Sequence, residues 1–175
     1  MKKLVFTLLA GALLLANINL RAQEVSGFRF GIGLEGALPV NGLAGYDYGG
    51  GATLRFGKGV AENIDVTLTG GIMGFIPKDI SPTIDTKAAL FFPIKAGGRY
   101  MISKNFYAMA EAGVTVVKTF LPKVTGTSGS FTSVNSSSFT YAPGLGVRFG
   151  GLDIGARYEG LDGAGFFGVR LGYDF

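Results

Sequence analysis

The sequence predicts an all-β protein: a closed antiparallel eight-stranded transmembrane β-barrel with up-and-down topology. Three observations support this fold class. Apolar and polar residues alternate in eight segments, the connections between the segments alternate between short and long, and charged residues fall on one face of the segments. Each observation is typical of a membrane barrel, in which successive residues face lipid and lumen in turn.

The alternation has a period of two residues, which is the period of a β-strand. In the first segment, the even positions from Phe28 to Leu38 are mostly large and apolar, and the odd positions are Gly, Arg, Glu or Ala. The segments are about ten residues long, which suits a tilted strand across a bilayer. The predicted strands are 28–38, 46–56, 64–76, 89–100, 106–117, 138–149, 152–160 and 166–175.

The connections also follow an alternating pattern. Short ones are predicted near 58–63, 102–105 and 150–151, and between them lie 39–45, 77–87, 119–137 and 160–165. Short turns at one end and longer loops at the other are typical of outer-membrane barrels. We therefore expect 77–87 and 119–137 to be extracellular loops, and they are the candidate surface for binding an extracellular ligand.

The charged residues of the strands lie on the face opposite the large apolar side chains. A charge in a low-dielectric interior needs a partner, so a balanced set predicts a structural network of ion pairs in the lumen. The set has seven basic and seven acidic members: Arg29, Glu35, Asp47, Arg55, Asp65, Lys95, Arg99, Glu111, Arg148, Asp153, Arg157, Glu159, Arg170 and Asp174.

A soluble barrel would give the same alternation, with the apolar face inside and the charges in water. Two features favour the membrane barrel. The charged face is rich in glycine, which leaves room for long side chains in a narrow tube. Aromatic residues lie near the strand ends, as in the interfacial girdles of membrane barrels.

Two groups of residues fit the pattern less well. Pro93 and Pro143 lie within predicted strands, where proline removes a ladder donor, so we expect bulges or early strand ends there. Six large apolar residues share the charged parity, and they indicate either an apolar layer in the lumen or an error in the assigned register: Met73, Phe75, Phe91, Tyr107, Met109 and Phe166.

The N-terminus has the pattern of a cleaved secretory signal. Lys2 and Lys3 precede an apolar run from 4 to 16, which is shorter than a membrane-spanning helix, and Ala22 offers a small residue at the cleavage site. We expect residues 1–22 to be the signal peptide and 23–175 the barrel domain. Removing it leaves 13 basic and 12 acidic residues, a balance that gives no reason to expect nucleic-acid binding.

The final strand ends in Gly172, Tyr173 and Phe175, and this ending resembles the C-terminal insertion signal of outer-membrane barrels. The stretches FFPIKAGGRYMISKNFYAMAEAG and YAPGLGVRFGGLDIGARYEG add to that likeness. Over 24–175 the chain resembles the outer membrane protein beta-barrel domain family, the small eight-stranded OmpA-like and OmpX-like barrels. The resemblance implies contact with outer-membrane lipids and with the barrel-insertion machinery, in a Gram-negative bacterium.

The sequence gives little support to catalysis. It contains no Cys and no His, which removes the commonest general base, the thiol nucleophile and the main zinc ligands. GIGLEG at 31–36 matches a dinucleotide fingerprint, but it lies within a predicted strand and has no acidic residue about twenty positions further on. Asp79 and Asp85 are too few to predict a calcium site. We expect no catalytic residue, no cofactor and no metal.

Three functions are compatible with these observations. The first is a non-enzymatic, monomeric outer-membrane barrel with a structural or surface-interaction role through its extracellular loops. The second is a narrow channel for ions or small solutes. The third is a soluble secreted barrel that carries a lipid.

Overall fold

A computed structural model describes residues 27–43, 45–78, 89–125 and 128–175, and it describes their side chains except at 120–133. The alternating segments form long strands because β-branched and aromatic residues suit a pleated ladder with two different faces. The strands are β1 (Phe28–Val40), β2 (Tyr46–Ala61), β3 (Ile64–Pro77), β4 (Ala89–Met101), β5 (Phe106–Thr125), β6 (Ser128–Phe149), β7 (Leu152–Leu161) and β8 (Ala164–Asp174).

The eight strands form one closed barrel, as predicted. Each strand pairs antiparallel with its sequence neighbours, and β1 pairs with β8. A row of register partners that leaves β1 at Phe30 returns to β1 at Val40, ten residues further along. This stagger tilts the strands and sets the width of the lumen. In the described part of the chain, no helix is long and apolar enough to cross a membrane.

The barrel is apolar outside and polar inside. Along β1, Leu34 and Leu38 point outward and are 67% and 65% exposed, whereas Glu35 between them is 5% exposed. The same alternation recurs on the other strands. A soluble lipid-carrying barrel needs the opposite arrangement, so this observation disfavours the third function.

The two ends of the barrel differ. Turns 62–63, 102–105 and 150–151 lie at the end where β1 begins and β8 finishes, and we refer to it as the turn end. Gly150 has a φ of 59°, a left-handed conformation that glycine adopts without strain. The opposite end is the ribbon end, where β5 and β6 extend furthest, to Thr125 and Ser128.

The predicted loop 119–137 is not a loop, and this prediction was wrong. β5 and β6 continue through it as a paired ribbon up to Thr125 and Ser128. β5 has its last partner on β4 at Thr119, and β6 has its first partner on β7 at Thr140. The error arose because a paired ribbon beyond the barrel wall needs no apolar face, so the hydrophobic alternation that predicted the other strands disappears here.

The predicted bulges at Pro93 and Pro143 are also wrong. Pro93 pairs with Thr115 and Pro143 with Ala110, and the register is unchanged on both sides of each proline. Each proline instead lies where its strand is unpaired on the opposite side. The β3–β4 pairs skip from Gly70 to Met73, and β6–β7 pairing is similarly interrupted at Pro143. Proline therefore costs pairing on one side of its strand only.

Candidate functional site

The lumen contains thirteen of the fourteen charged residues predicted to line it, and we call this set the lumen lattice. Ten of them are buried: Glu35, Arg55, Asp65, Lys95, Arg99, Glu111, Asp153, Arg157, Glu159 and Arg170. The other three are half-buried near the turn end: Arg29, Arg148 and Asp174. The structure therefore brings together seven basic and six acidic side chains from all eight strands.

Asp47 is the one predicted member that lies outside the lattice. It is exposed on β2 near the ribbon end. The pairing of β2 with β3 shifts register between Tyr46 and Tyr48, so Asp47 has no register partner on β3. A bulge of this kind changes the face on which following residues lie, and period-two counting from the sequence cannot detect it.

Asp153 is the centre of the first group of charges. Its Oδ2 accepts a hydrogen bond from Arg99 Nη2 at 2.7 Å, and its Oδ1 accepts one from the Tyr107 hydroxyl at 2.7 Å. Arg170 and Arg55 approach the same carboxylate at 3.5 and 3.7 Å. One fully buried carboxylate on β7 is therefore shared as a counter-charge by guanidinium groups that come from three other strands.

A second group surrounds Arg157 and lies across the lumen. Arg157 Nη1 donates to Glu35 at 2.6 Å and Arg157 Nε donates to Glu159 at 2.8 Å. Lys95 Nζ donates to the same Glu159 oxygen at 2.5 Å. These charge-assisted bonds join β7 to β1 and β4 through the interior, where no ladder connects them.

The third group forms the opening of the lumen at the turn end, and we call it the mouth: Arg29, Asp65, Arg99, Arg148 and Asp174. Asp65 Oδ2 pairs with Arg29 and lies 3.8 Å from Arg148 Nη1. Arg99 Nη1 lies 3.6 Å from Asp174. A space of about 10 Å³, enough for about one water molecule, is lined by Arg29, Arg55, Gly57, Asp65, Thr67, Arg99 and Asp174.

Sequence reasoning missed the uncharged partners of the lattice. Thr53 donates a hydrogen bond to Glu35 at 2.7 Å, and Thr67 and Thr69 both donate to Glu111 at 3.0 and 2.7 Å. Tyr107, which the sequence placed among the apolar exceptions, belongs here through its bond to Asp153. All four occupy the same alternate positions in their strands as the charged residues, and those positions could have predicted that they face the lumen.

An apolar layer closes the lumen toward the ribbon end, as one of the two interpretations of the parity exceptions predicted. Phe75 lies at its centre, with ring centroids 4.6 Å from Phe91 and 5.2 Å from Phe166. Met73 packs against them, together with Ala37, Leu43 and Ala89. These side chains are at most 7% exposed, so the layer is as tightly enclosed as a protein core.

Glycine makes room for this filling, as the sequence predicted. A Cβ atom on Gly33 would lie 2.6 Å from Arg170 Nε, closer than real side chains approach. Gly31 and Gly33 therefore leave room for side chains that fill the lumen. The GIGLEG motif lies entirely within β1, so it does not open a helix as a dinucleotide-binding fingerprint does. Among the described residues no cluster of acidic side chains has the arrangement of a metal site, and Asp79 and Asp85 lie outside the described ranges.

The C-terminal residues lie on the outer face at the turn end. Tyr173 and Phe175 are exposed, their ring centroids are 5.0 Å apart, and Phe175 stacks on Phe30. Gly172 faces the lumen beneath Arg170. An aromatic cluster at this end is compatible with an interfacial girdle, and the insertion signal stays a prediction.

Fold and interior together define a class: a small eight-stranded barrel with an apolar exterior and a lumen filled by charged pairs, the architecture of outer-membrane barrels. No family model matches the chain, and no curated protein matches it.

Solved structures share the fold. Ail, the attachment invasion locus protein of Yersinia pestis, is 17% identical with a TM-score of 0.60, covering 86% of this chain and 99% of Ail. The N-terminal β-barrel domain of Pseudomonas aeruginosa OprF is 12% identical with a TM-score of 0.56, covering 87% and 100%. Neisserial surface protein A is 14% identical with a TM-score of 0.50, covering 87% and 98%. The likeness confirms the fold implied by the sequence resemblance.

Proposed function

We propose that the chain is an integral outer-membrane barrel with no enzymatic activity, and that its protruding β5–β6 ribbon makes contacts at the cell surface. The observation that carries this proposal is the filled lumen. Charged pairs and an apolar layer occupy the interior, so a partner would meet the barrel at one of its ends, and the ribbon extends beyond the barrel at the ribbon end. The barrel is the support, and the ribbon is the contact surface.

The outer face supports a membrane location. Large apolar side chains cover it, and the closed sheet pairs the backbone polar groups that lipid cannot satisfy. Lys58 lies over the Phe28 ring near the turn end, and Lys118 over the Phe92 ring nearer the ribbon end. Lysines that extend from an apolar wall toward the headgroups are typical of both interfaces. Residues 1–22 would direct export, and Gly172, Tyr173 and Phe175 would direct insertion.

The ribbon is suited to contact because its strand edges extend beyond the barrel. Among the residues that the structure describes, β5 beyond Thr119 and β6 before Thr140 pair only with each other. Free edges present rows of backbone donors and acceptors, which partner chains and polar ligands recognise. The segment 118–137 contains Lys118 and Lys123 and no acidic residue, so its charge favours an anionic ligand.

The solved structure of Ail with the heparin analogue sucrose octasulfate suggests a probe for this ligand class. We expect the protein in nanodiscs to bind sucrose octasulfate. We expect a shortened variant, in which 120–133 is replaced by an Asn-Gly turn, to lose that binding. Thr119 and Val134 are register partners, so a two-residue turn closes this hairpin without changing the barrel register. Isothermal titration calorimetry measures both.

A control variant replaces only 126–127 with Asn-Gly and keeps both edges of the ribbon, so it should bind as the full chain does. Equal unfolding transitions for the three proteins would show that the barrel is intact. Unchanged binding by the shortened variant would contradict the role of the ribbon. Failure of the full chain to bind would contradict the proposed ligand class.

The channel alternative needs a continuous path through the lumen. The apolar layer of Phe75, Phe91 and Phe166 lies across that path, and the lattice fills the section below it. Both features favour a closed lumen.

A further inference from the structure

We infer that the ribbon recognises a second copy of this chain. The edge of β6 that faces away from β5 pairs, antiparallel, with the same edge of a copy in an opposing membrane. This inference rests on the proposed surface role of the ribbon, and it gives that role a partner. The evidence is the direction of the backbone hydrogen bonds along each edge of the ribbon.

This direction alternates from residue to residue in β5 and β6. The Arg148 N–H donates to the Asn105 carbonyl at 2.7 Å, one step beyond the first β5–β6 register pair. The register is unbroken up to Thr125, so odd-numbered residues of β5 and even-numbered residues of β6 bond each other. The remaining residues direct their N–H and C=O groups away from the partner strand. Pro143 agrees with this assignment, because its missing donor falls on the β7 side, where pairing is interrupted.

The free edge of β6 is continuous. β6 has its first partner on β7 at Thr140, so the odd-numbered residues before it face no other strand of the described chain. Their N–H and C=O groups form an unbroken row: Gly129, Phe131, Ser133, Asn135, Ser137 and Phe139. The segment 128–140 contains no proline and no charged residue. Natural edge strands use such residues to prevent pairing, so this edge is open to a partner strand.

The free edge of β5 is interrupted. Beyond Thr119, the residues that direct their backbone groups away from β6 are Phe120, Pro122 and Val124. Pro122 lies in the middle of this row and has no N–H to donate. Lys123 follows it, and lysine in an edge strand also opposes pairing. The two edges therefore differ, and the β6 edge is the one that offers a continuous template.

The β6 edge is complementary to itself. When two copies pair antiparallel about a two-fold axis at Val134, each free odd-numbered residue lies opposite a free odd-numbered residue of the other copy. Gly129 of each copy is then opposite Phe139 of the other, and every donor and acceptor in the row has a partner. The segment is uncharged, so the two copies do not repel each other.

Strand direction places the two copies in different membranes. Antiparallel β6 strands related by this axis belong to barrels that point in opposite directions. Copies in one membrane would have parallel β6 strands, and a two-fold axis would then set each N–H against the same N–H of the other copy. A side-by-side array would join β6 to β5 of the next copy, and Pro122 interrupts that edge. The ribbon therefore connects two facing membranes.

The test is disulfide formation between two populations of phosphatidylcholine vesicles. Each population contains the protein with a different epitope tag, and the two are mixed after reconstitution. Val134→Cys places a thiol at the two-fold axis, with a distance of about 4.5 Å between the two Cα atoms, which is within disulfide reach. Val134 is exposed and the chain has no cysteine of its own, so mixed-tag dimers should form on oxidation.

Ser136→Cys is the matched control, because Ser136 is exposed on the same strand two residues further on. In the same register its two copies are four residues apart, about 13 Å along the strand, which is beyond disulfide reach. Mixed-tag dimers should therefore form at least about tenfold faster with Val134→Cys. Equal rates, no dimers, or dimers of a single tag only would overturn the proposal.

Proline variants identify the edge. Asn135→Pro with Ser137→Pro removes two donors from the free edge of β6 and none that β5 uses, so it should abolish the mixed-tag dimers of Val134→Cys. Val124→Pro removes a donor from the free edge of β5 and should leave those dimers unchanged. Persistence of the dimers in the double-proline variant would overturn the assignment to the β6 edge.

Binding of sucrose octasulfate separates this inference from the proposed function. The double-proline variant keeps Lys118 and Lys123, so it should still bind sucrose octasulfate in nanodiscs. Binding by the full chain without mixed-tag dimers of Val134→Cys would overturn the self-pairing alone. Mixed-tag dimers without that binding would support the self-pairing and contradict only the anionic ligand class.

Discussion

Asp153→Asn is expected to lower the free energy of unfolding by about 3–5 kcal/mol, because it removes one charge of a buried network and leaves its partners uncompensated. Asp153 is fully buried and faces Arg55, Arg99 and Arg170. Asparagine has nearly the same shape, so the loss reports charge and not a cavity. Equilibrium urea unfolding in lipid vesicles, followed by circular dichroism, measures the change.

Two further variants make this result specific. Asp162→Asn neutralises an exposed carboxylate in the turn 162–163 and should leave stability within about 0.5 kcal/mol of the unchanged protein. Adding Arg170→Met to Asp153→Asn should recover part of the loss, since it removes one of the guanidinium groups left without a counter-charge. A stability of Asp153→Asn equal to that of the unchanged protein would show that the lattice does not hold the barrel together.

Much of the fold could be predicted because an apolar exterior and a polar lumen impose a strict alternation. The places of Leu34, Glu35 and Leu38 in the alternating pattern are enough to predict that the leucines face outward and the glutamate faces the lumen. The lattice followed from the same parity, and thirteen of its fourteen predicted members lie in the lumen. The exception, Asp47, lies at a bulge, and a one-residue shift in register cannot be seen in a two-residue period.

The ribbon and the pairings within the lattice could not be predicted. Beyond the barrel wall, a β-ladder depends on backbone bonds and imposes no apolar face, so 119–137 resembles a loop in composition. Within the lumen, contacts depend on the stagger of the barrel, which brings residues such as Glu35 and Arg157 together across 122 positions. The odd or even position of a residue in its strand shows whether it faces inward. Which inward-facing residues meet depends on the stagger of the barrel.

The apolar layer illustrates the same limit and leads to the second large effect. Phe75, Phe91 and Phe166 come from β3, β4 and β8, and the tilt of the strands brings them to one level. We expect this layer to block access to the lattice from the ribbon end. In planar bilayers the unchanged protein should therefore give no discrete conductance steps, and reproducible openings would instead favour the narrow channel.

A thiol reporter measures the seal directly, because the chain has no cysteine of its own. Ala142 is fully buried and is the register partner of Glu111, so Ala142→Cys marks the level of the lattice. In nanodiscs this thiol should be inert to a charged methanethiosulfonate reagent. Adding Phe75→Ala should make it react at least about tenfold faster, since a deleted ring leaves a space that neighbours fill only in part.

The matched control is Phe139→Ala, which removes a ring of the same size from the outer face, where Phe139 is 58% exposed. It should leave the reporter inert. Rapid labelling of Ala142→Cys in the otherwise unchanged protein would mean that water already reaches the lattice, and the closed lumen would be wrong. Slow labelling with and without Phe75 would mean that the charged lattice is the barrier by itself. The aromatic rings would then contribute to stability and not to closure, a distinction that the unfolding free energy of Phe75→Ala measures independently.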